Sequence, residues 1–354
     1  MGCDARIQRM LETSRRERRL AYTETEADRM AVSRRLARGE LTSPYRSLFT
    51  SPAIWSSLTV TEQIEWTTRA IALRRPETVF AGPTAVALHH LEYQFDIQRP
   101  GIFTLVPDHG TPLAHLHDAD ATPFGRRQVR IAIPKERWSD VTVTARDGRH
   151  ATTVTRTLVD AAVLEPFPNA LAIWDSAERA GKLDRSAVLR EAQQVRAAMP
   201  AVEQLLRYVD GRSMNGGESF TRAVMIEEGF PPPTLQRRFP NASCTRGYRD
   251  VDFCWELPNG VIIVGELDGA VKLTDPTMTR GRSTEEISHD VVERERQLYG
   301  WGVTTIFRLT MKEVFERQPM IAKMLAAGVP RLSAPVGSRL LVVDTELALL
   351  RNEM

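Results

Sequence analysis

The chain has 354 residues, 42% of them hydrophobic and 26% charged, with a formal net charge of +2 and a mean hydropathy of −0.29. Such a length accommodates two or three domains with sizeable cores, and the composition excludes wholesale disorder. No apolar run reaches the roughly 18–20 residues a bilayer-spanning helix needs. Arg6, Arg9, Arg15, Arg16, Arg18 and Arg19 leave no room for the apolar stretch of a secretory signal. The three cysteines, Cys3, Cys244 and Cys254, are an odd number without CxxC spacing. They argue against a disulfide scaffold or a zinc site and fit a reducing compartment, so a cytoplasmic location is expected. Arginine is preferred almost everywhere; the lysines are Lys135, Lys182, Lys272, Lys312 and Lys323.

Residues 1–60 form a basic region. Up to residue 50 it carries eleven arginines against seven acids, a balance of +4. Ala27–Arg38 reads as a helix with Met30, Val32 and Leu36 on its apolar side, Arg34, Arg35 and Arg38 outside, and Gly39 as C-cap. Leu41–Phe49 reads as a short hairpin about Ser43-Pro44. A basic helix followed by a wing offers DNA cations for its phosphates and a helix for its major groove. The same features suit a small helical adaptor with a solvated arginine face.

Residues 61–205 read as a mixed α/β domain. Helices are expected over Thr61–Leu73, Gly82–Leu91, Arg156–Leu164, Ala170–Ala180 and Ser186–Met199, and strands over Arg130–Ile133 and Val141–Val143. His115 and His117 with Asp118 and Asp120 read as a polar loop rather than a metal site, because His-x-His alone is a weak pattern.

Residues 206–330 are the most informative. A helix over Glu218–Glu228 is closed by Gly229 and Pro231–Pro233. Strands follow over Thr234–Phe239, Tyr248–Trp255 and Val261–Leu267, the last two joined by a turn at Leu257-Pro258-Asn259-Gly260. A charged helix over Glu285–Leu298 and a strand over Val303–Leu309 complete an α-β-β-β-α-β order, which predicts a mixed sheet with helices on both sides, within the α/β (α+β) class. Residues 331–354 form a tail whose stretch Arg339–Leu350 reads as a strand and helix packing on the body or as a dimer contact.

Strand alternation puts Glu266 and Asp268 on one face. With Pro258 opposite Val261, the hairpin brings Asp252 opposite residue 267, within one position, and so beside Glu266. Carboxylates converging where a buried strand leaves the core are costly without a cation, and a hard divalent ion with oxygen ligands removes that cost. Lys272 stands four residues after Asp268, suited to neutralising charge on a phosphate. Glu218 adds an acid from the first helix. Cys254 reads as a small buried hydrophobe rather than a nucleophile.

Asp252 with Val264-Gly265-Glu266-Leu267-Asp268-Gly269, in that element order, resembles the PD-(D/E)XK nuclease superfamily, and within it the very-short-patch-repair-like branch. Asp290–Arg294, Leu298, Gly300-Trp301-Gly302-Val303 and Arg308 fit the same pattern. The resemblance covers about residues 214–311. It implies a restriction-endonuclease-like core, Asp252 and Glu266 as ligands of Mg²⁺ or Mn²⁺, Asp268 as a supporting acid and Glu218 as the first-helix acid. The wider superfamily has a lysine where Asp268 stands, and Lys272 takes that role from a shifted position; a histidine often follows the Glu-x-Asp-Gly element in the narrower branch, where this chain has Lys272. Members that lose activity can still bind DNA. Arg38-Gly39-Glu40-Leu41 with Tyr45-Arg46, Ala81–Ala85 and Val154–Asp160 resemble proteins with an AbiEi-type antitoxin region. This implies a winged helix before an α/β domain, and a toxin or defence partner protein.

The leading expectation is therefore a metal-dependent DNA endonuclease or nickase, with one or two ions between Asp252 and Glu266. Arg280, Arg282 and Arg294 are candidate phosphate contacts in the third domain, and Arg34, Arg35 and Arg38 in the first. The alternative is a DNA-binding regulator or antitoxin with an inactive nuclease-like domain; a protein-interaction module and an oligomer are also compatible with the sequence.

Overall fold

The computed structural model describes residues 3–94, 101–107, 127–133, 137–144, 147–195, 198–240, 248–268 and 284–332. Outside them lie the His115–Asp120 loop, Lys272, Arg280, Arg282 and the expected elements over Arg339–Leu350. The side chains of Asp268 and His289 also fall outside the description. The protein is mixed α/β and divides into two compact units, Met1–Glu165 with Leu183–Val202, and Pro166–Lys182 with the chain from Glu203 onward. The basic region and most of the middle segment thus share one unit, whereas the segment at 166–182 belongs with the C-terminal residues.

The first unit opens with α1 (Cys3–Arg16) and α2 (Glu26–Ala37), followed by β1 (Thr42–Tyr45) and β2 (Leu48–Thr50), an antiparallel hairpin. Ala21 bridges Phe49 beside the hairpin. Ile7, Ala21, Ala31, Val32, Leu41 and Phe49 form the apolar centre of this region. Buried Asp28 ties the helices together, accepting from Arg6 Nε and Nη2 at 3.1 and 2.9 Å and from Thr25 Oγ1 at 2.7 Å. Gly39, at φ +72°, ends α2, and Glu40 N–H donates back to the Arg35 carbonyl. Two details differ from the sequence reading. Met30 is 59% exposed, because Asp28 and Ala31 take the inner face instead. The hairpin turns at Arg46-Ser47 rather than Ser43-Pro44: Tyr45 pairs with Leu48, Ser47 takes φ +60°, and Pro44 sits buried within the strand.

The remainder of this unit is α3 (Pro52–Ser57), α4 (Val60–Arg74), β3 (Val79–Phe80), α5 (Gly82–Leu88), β4 (Gly101–Pro107), β5 (Arg127–Ile133), α6 (Trp138–Val141), β6 (Thr142–Thr144), β7 (His150–Thr152) and α7 (Val154–Leu164). Its sheet runs β5-β4-β3-β7-β6, with β5–β4 and β3–β7 parallel and the other pairs antiparallel. Ile64, Trp66 and Ala70 of α4 pack with Phe80, Ala85, Ile102 and Ala151. Next in the chain are α8 (Phe167–Arg179) in the second unit and α9 (Arg185–Ala192) in the first. The single helix expected over Ser186–Met199 is two: α9 ends at Ala192, and α10 (Ala198–Tyr208) starts where Pro200 falls within a first turn, the helical position that tolerates proline.

In the second unit, α11 (Gly216–Glu227) precedes β8 (Thr234–Pro240), β9 (Tyr248–Glu256), β10 (Ile262–Asp268), α12 (Thr284–Gly300), β11 (Val303–Thr310), α13 (Met311–Glu316) and α14 (Gln318–Ala326). Among the described residues the elements follow the expected α-β-β-β-α-β order. The sheet runs β11-β10-β9-β8, with β10–β11 parallel and the other pairs antiparallel. One face packs Phe253, Trp255, Ile263, Phe307 and Leu309 against Phe220 and Val224 of α11 and Met320 and Met324 of α14. The other packs Phe239, Val251, Cys254 and Val264 against Leu298 of α12. Asp175 on α8 and Arg222 on α11 form a bidentate pair, 0% and 4% exposed, at 2.9 and 2.7 Å. Burial pushes the Asp175 carboxyl up, against the pull of Arg222.

Candidate functional site

The β9–β10 hairpin sets the site. Leu257 N–H donates to the Val261 carbonyl and Gly260 takes φ +80°, so the loop is the three residues Pro258-Asn259-Gly260 rather than two. This moves the register by one from the sequence expectation. Cα partners run from Ile262↔Glu256 to Gly265↔Phe253, and continuing that register by one position would set Glu266 beside Asp252. Asp252 Oδ2 accepts from the Leu267 N–H at 3.0 Å, fixing its carboxylate against β10.

A paired kink surrounds Asp252. Residues two apart in a regular strand share a face, yet Val251 packs on the α12 side and Phe253 on the opposite side. Strand β8 behaves likewise, with Leu235 and Phe239 on different faces. The β8–β9 register is unchanged across the break, from Leu235↔Phe253 to Arg237↔Val251, and leaves Gln236 abreast of Asp252. Gln236 adopts φ +49°, a left-handed conformation rare outside glycine, asparagine and aspartate. Such distortions re-aim side chains and recur beside functional sites.

Glu266 is 6% exposed. Its carboxylate is paired with Arg294 of α12, whose Nη2 also donates to the Asp250 carbonyl at 3.2 Å. Arg308, the β11 register partner of Glu266, reaches Glu295 of α12 at 3.0 Å. Gly265 is needed here, since a Cβ would stand 2.7 Å from Phe307 Cζ. Glu218 closes the start of α11: its Oε2 accepts from the Met214 N–H at 2.8 Å, its Oε1 from Asn215 Nδ2 at 2.7 Å, and its own N–H donates to Asn215 Oδ1. Gln236 Nε2 also donates to Glu218 Oε2, at 3.1 Å, linking the helix to the kink.

The structure therefore fixes the Asp252 carboxylate on β10 one residue from Glu266, bonds Glu218 to Gln236 on the neighbouring strand, and pairs Arg294 with Glu266. The backbone of Asp268 continues β10 two residues beyond Glu266. Among the described residues no group of three His, Cys, Asp or Glu side chains could hold a metal ion. Asp252 and Glu266 supply two carboxylates, an all-oxygen set that suits Mg²⁺, which keeps several waters and takes only one or two carboxylates. Cys254 is buried and its thiol is pushed up to about 11, by burial first and then by Glu256. In the first unit Arg34 and Arg38 are exposed, Arg35 is held by Asp4 at 2.7 Å, and Arg46 stands exposed at the hairpin turn. Gln236 was not legible as a site residue, since nothing in Thr234–Phe239 marks a change of face.

No protein-family model matches the chain. Two uncharacterized proteins of Mycobacterium tuberculosis, MT2308 of strain CDC 1551 / Oshkosh and Rv2248 of strain ATCC 25618 / H37Rv, are each 36% identical to it over 110 residues. The similarity covers 30% of this chain and 40% of each relative, so the chain spans less than half the length of the relatives it matches. No helix among the described residues is long and apolar enough to cross a membrane.

Proposed function

We propose that the protein is a metal-dependent endonuclease or nickase that hydrolyses phosphodiester bonds in DNA. The observation that carries this reading is the Asp252 carboxylate held by the Leu267 N–H, one residue from buried Glu266, at a kink shared by two strands. The strand order and the crossover through α12 support the resemblance to the PD-(D/E)XK nucleases. Asp252 and Glu266 would hold Mg²⁺ or Mn²⁺, with Asp268 as a supporting acid; the ion would supply an acidified water and offset charge on the phosphate oxygens. Lys272 would neutralise negative charge as it builds at the scissile phosphate. Glu218 acts through Gln236 as a positioning residue. Arg294 must yield part of its hold on Glu266 when a cation arrives.

That ion pair also favours a second reading. A carboxylate satisfied by an internal guanidinium has no need of a metal, and exposed Arg34, Arg38 and Arg46 on a helix and hairpin offer DNA a separate surface. The protein would then be a DNA-binding regulator or antitoxin acting with a toxin or defence partner. Incubation of supercoiled, methylated or mismatched DNA with Mg²⁺, Mn²⁺ or EDTA separates the two. Metal-dependent cutting lost in Glu266→Ala supports the nuclease. Absence of cutting with either metal, with salt-sensitive binding that survives EDTA, supports the regulator.

A further inference from the structure

Among the described residues, strand β8 lies at one edge of its sheet, hydrogen-bonded only to β9. Along it runs an open cavity of about 600 Å³ whose lining includes Arg179, Arg212, Arg237, Arg238, Gln236 and Asp250. Four arginines thus line one groove, with Asp250 also on its wall. We propose that this groove seats the sugar–phosphate backbone of DNA beside the Asp252–Glu266 site, with Arg179, Arg212, Arg237 and Arg238 binding the phosphates. The binding claim stands on the groove itself; that the seated strand is the one cut rests on the nuclease reading.

The arginines are built for this task. Arg212, Arg237 and Arg238 have side chains 61%, 44% and 64% exposed, yet each is anchored: by Asp210 at 2.6 Å, by Glu256 at 2.8 Å and by Asp250 at 3.2 Å. The Arg238 guanidinium also lies 4.1 Å from the Tyr248 ring centroid. A guanidinium has five N–H donors in a fixed fork, so one carboxylate orients it and leaves donors for a phosphate. Arg179, at the end of α8, gives Nη1–H to the Ser213 carbonyl at 2.6 Å, which holds its fork at the groove wall. Gln236 belongs to both groove and kink, and the Asp250 carbonyl takes a hydrogen bond from the Arg294 that holds Glu266. A backbone lying on β8 thus passes beside Asp252. The edge is poorly suited to an added peptide strand, because it is kinked at Gln236 and ends at Pro240.

The test is binding of the full chain to a short duplex and to its single strand, followed by fluorescence anisotropy in EDTA over a salt series. An Arg237→Gln/Arg238→Gln double variant should bind about tenfold or more weakly, and its log–log salt slope on the duplex should fall by about 1.8, or about 0.9 for each phosphate left without its arginine. Arg212→Gln alone should lower the slope by about half that. A groove that binds DNA in a wild-type protein that cuts nothing would sink the nuclease reading and leave this one standing. Unchanged affinity and slope in the folded double variant would overturn the proposal. Loss of binding to a polyglutamate probe with DNA binding intact would overturn it too, in favour of an acidic protein segment.

Discussion

Both units bury charge, and they enclose it differently. In the first, Arg156 and Asp160 are 3% and 4% exposed; Arg156 donates to Asp160 at 2.7 Å and to Glu191 at 3.1 Å, and Glu191 also takes Arg137 at 2.5 Å. Burial pushes the Asp160 carboxyl up, despite the neighbouring Arg156. Every charge in that cluster answers another across helices α7 and α9 and the start of α6. In the second unit Glu266 is as buried, but its partner Arg294 has a side chain 31% exposed, and the neighbouring kink opens on a groove. The comparison teaches that burial of a carboxylate does not mark a site. A carboxylate whose partner is itself buried is architecture; one whose guanidinium partner is partly exposed beside a groove has room nearby for a ligand.

Variants at the two places should therefore fail in different ways. If the protein is the proposed nuclease, the largest effect is expected from Glu266→Gln, which should lower metal-dependent cleavage about a thousandfold, or ~4 kcal/mol, through loss of the charge proposed to hold the metal. Its Tm should move by only about 2–4 °C, the shift that ~1 kcal/mol gives a protein domain of comparable size. Arg156→Ala should do the reverse. It strands Asp160, leaving Glu191 to Arg137, and should cost about 3–5 kcal/mol in denaturant unfolding, because one half of a buried pair remains. If Glu266→Gln unfolded the protein as readily, the distinction between site and scaffold would collapse.

The fold of the second unit was largely legible, and the geometry of its site only in part. Alternating apolar residues and the Asn259-Gly260 turn defined β9 and β10, and the Glu-x-Asp spacing marked where to look. The one-residue shift in register was not legible, since Pro258-Asn259-Gly260 serves a three-residue loop as well as part of a two-residue one. The kink was invisible for a stronger reason: Val251, Phe253 and Trp255 alternate as a regular strand would, and only tertiary packing sends Val251 and Phe253 to opposite faces. In the first unit, the two-residue strand β3 is too short for any periodicity to reveal, although it is central to its sheet. Arg156 and Asp160 stand four apart on a helix, a spacing that surface pairs share, and their burial depends on α9, which is distant in sequence.

Smaller effects sharpen the contrast. Gly265→Ala should cost about 1–3 kcal/mol by driving a methyl into the Phe307 ring, and should reduce cleavage by displacing Glu266 next to it. Thermal unfolding and cleavage assays on the same preparation check both. Arg294→Gln should cost about 1–3 kcal/mol, less than Arg156→Ala, because the Arg294 side chain is 31% exposed against 4% for Arg156; a loss near that of Arg156→Ala would make Glu266–Arg294 a closed structural pair. The smallest effect is acid-side. Burial raises the Asp210 carboxyl, but hydrogen bonds from Arg212 outweigh it and hold it below the ordinary value of 3.8. A depressed carboxyl contributes stability that is present above that value and is lost as pH falls through the lower one. In a Tm–pH profile, Arg212→Gln should lose less stability than the wild type below about pH 4.

The central claim is that Asp252 and Glu266 form one cation site, and calorimetric titration of Mn²⁺ into the full chain tests it most directly. The account predicts saturable binding in the wild type that is lost in both Asp252→Asn and Glu266→Gln while each variant remains folded. Binding that persists in both variants, or a folded wild type that takes up no Mn²⁺, would contradict it.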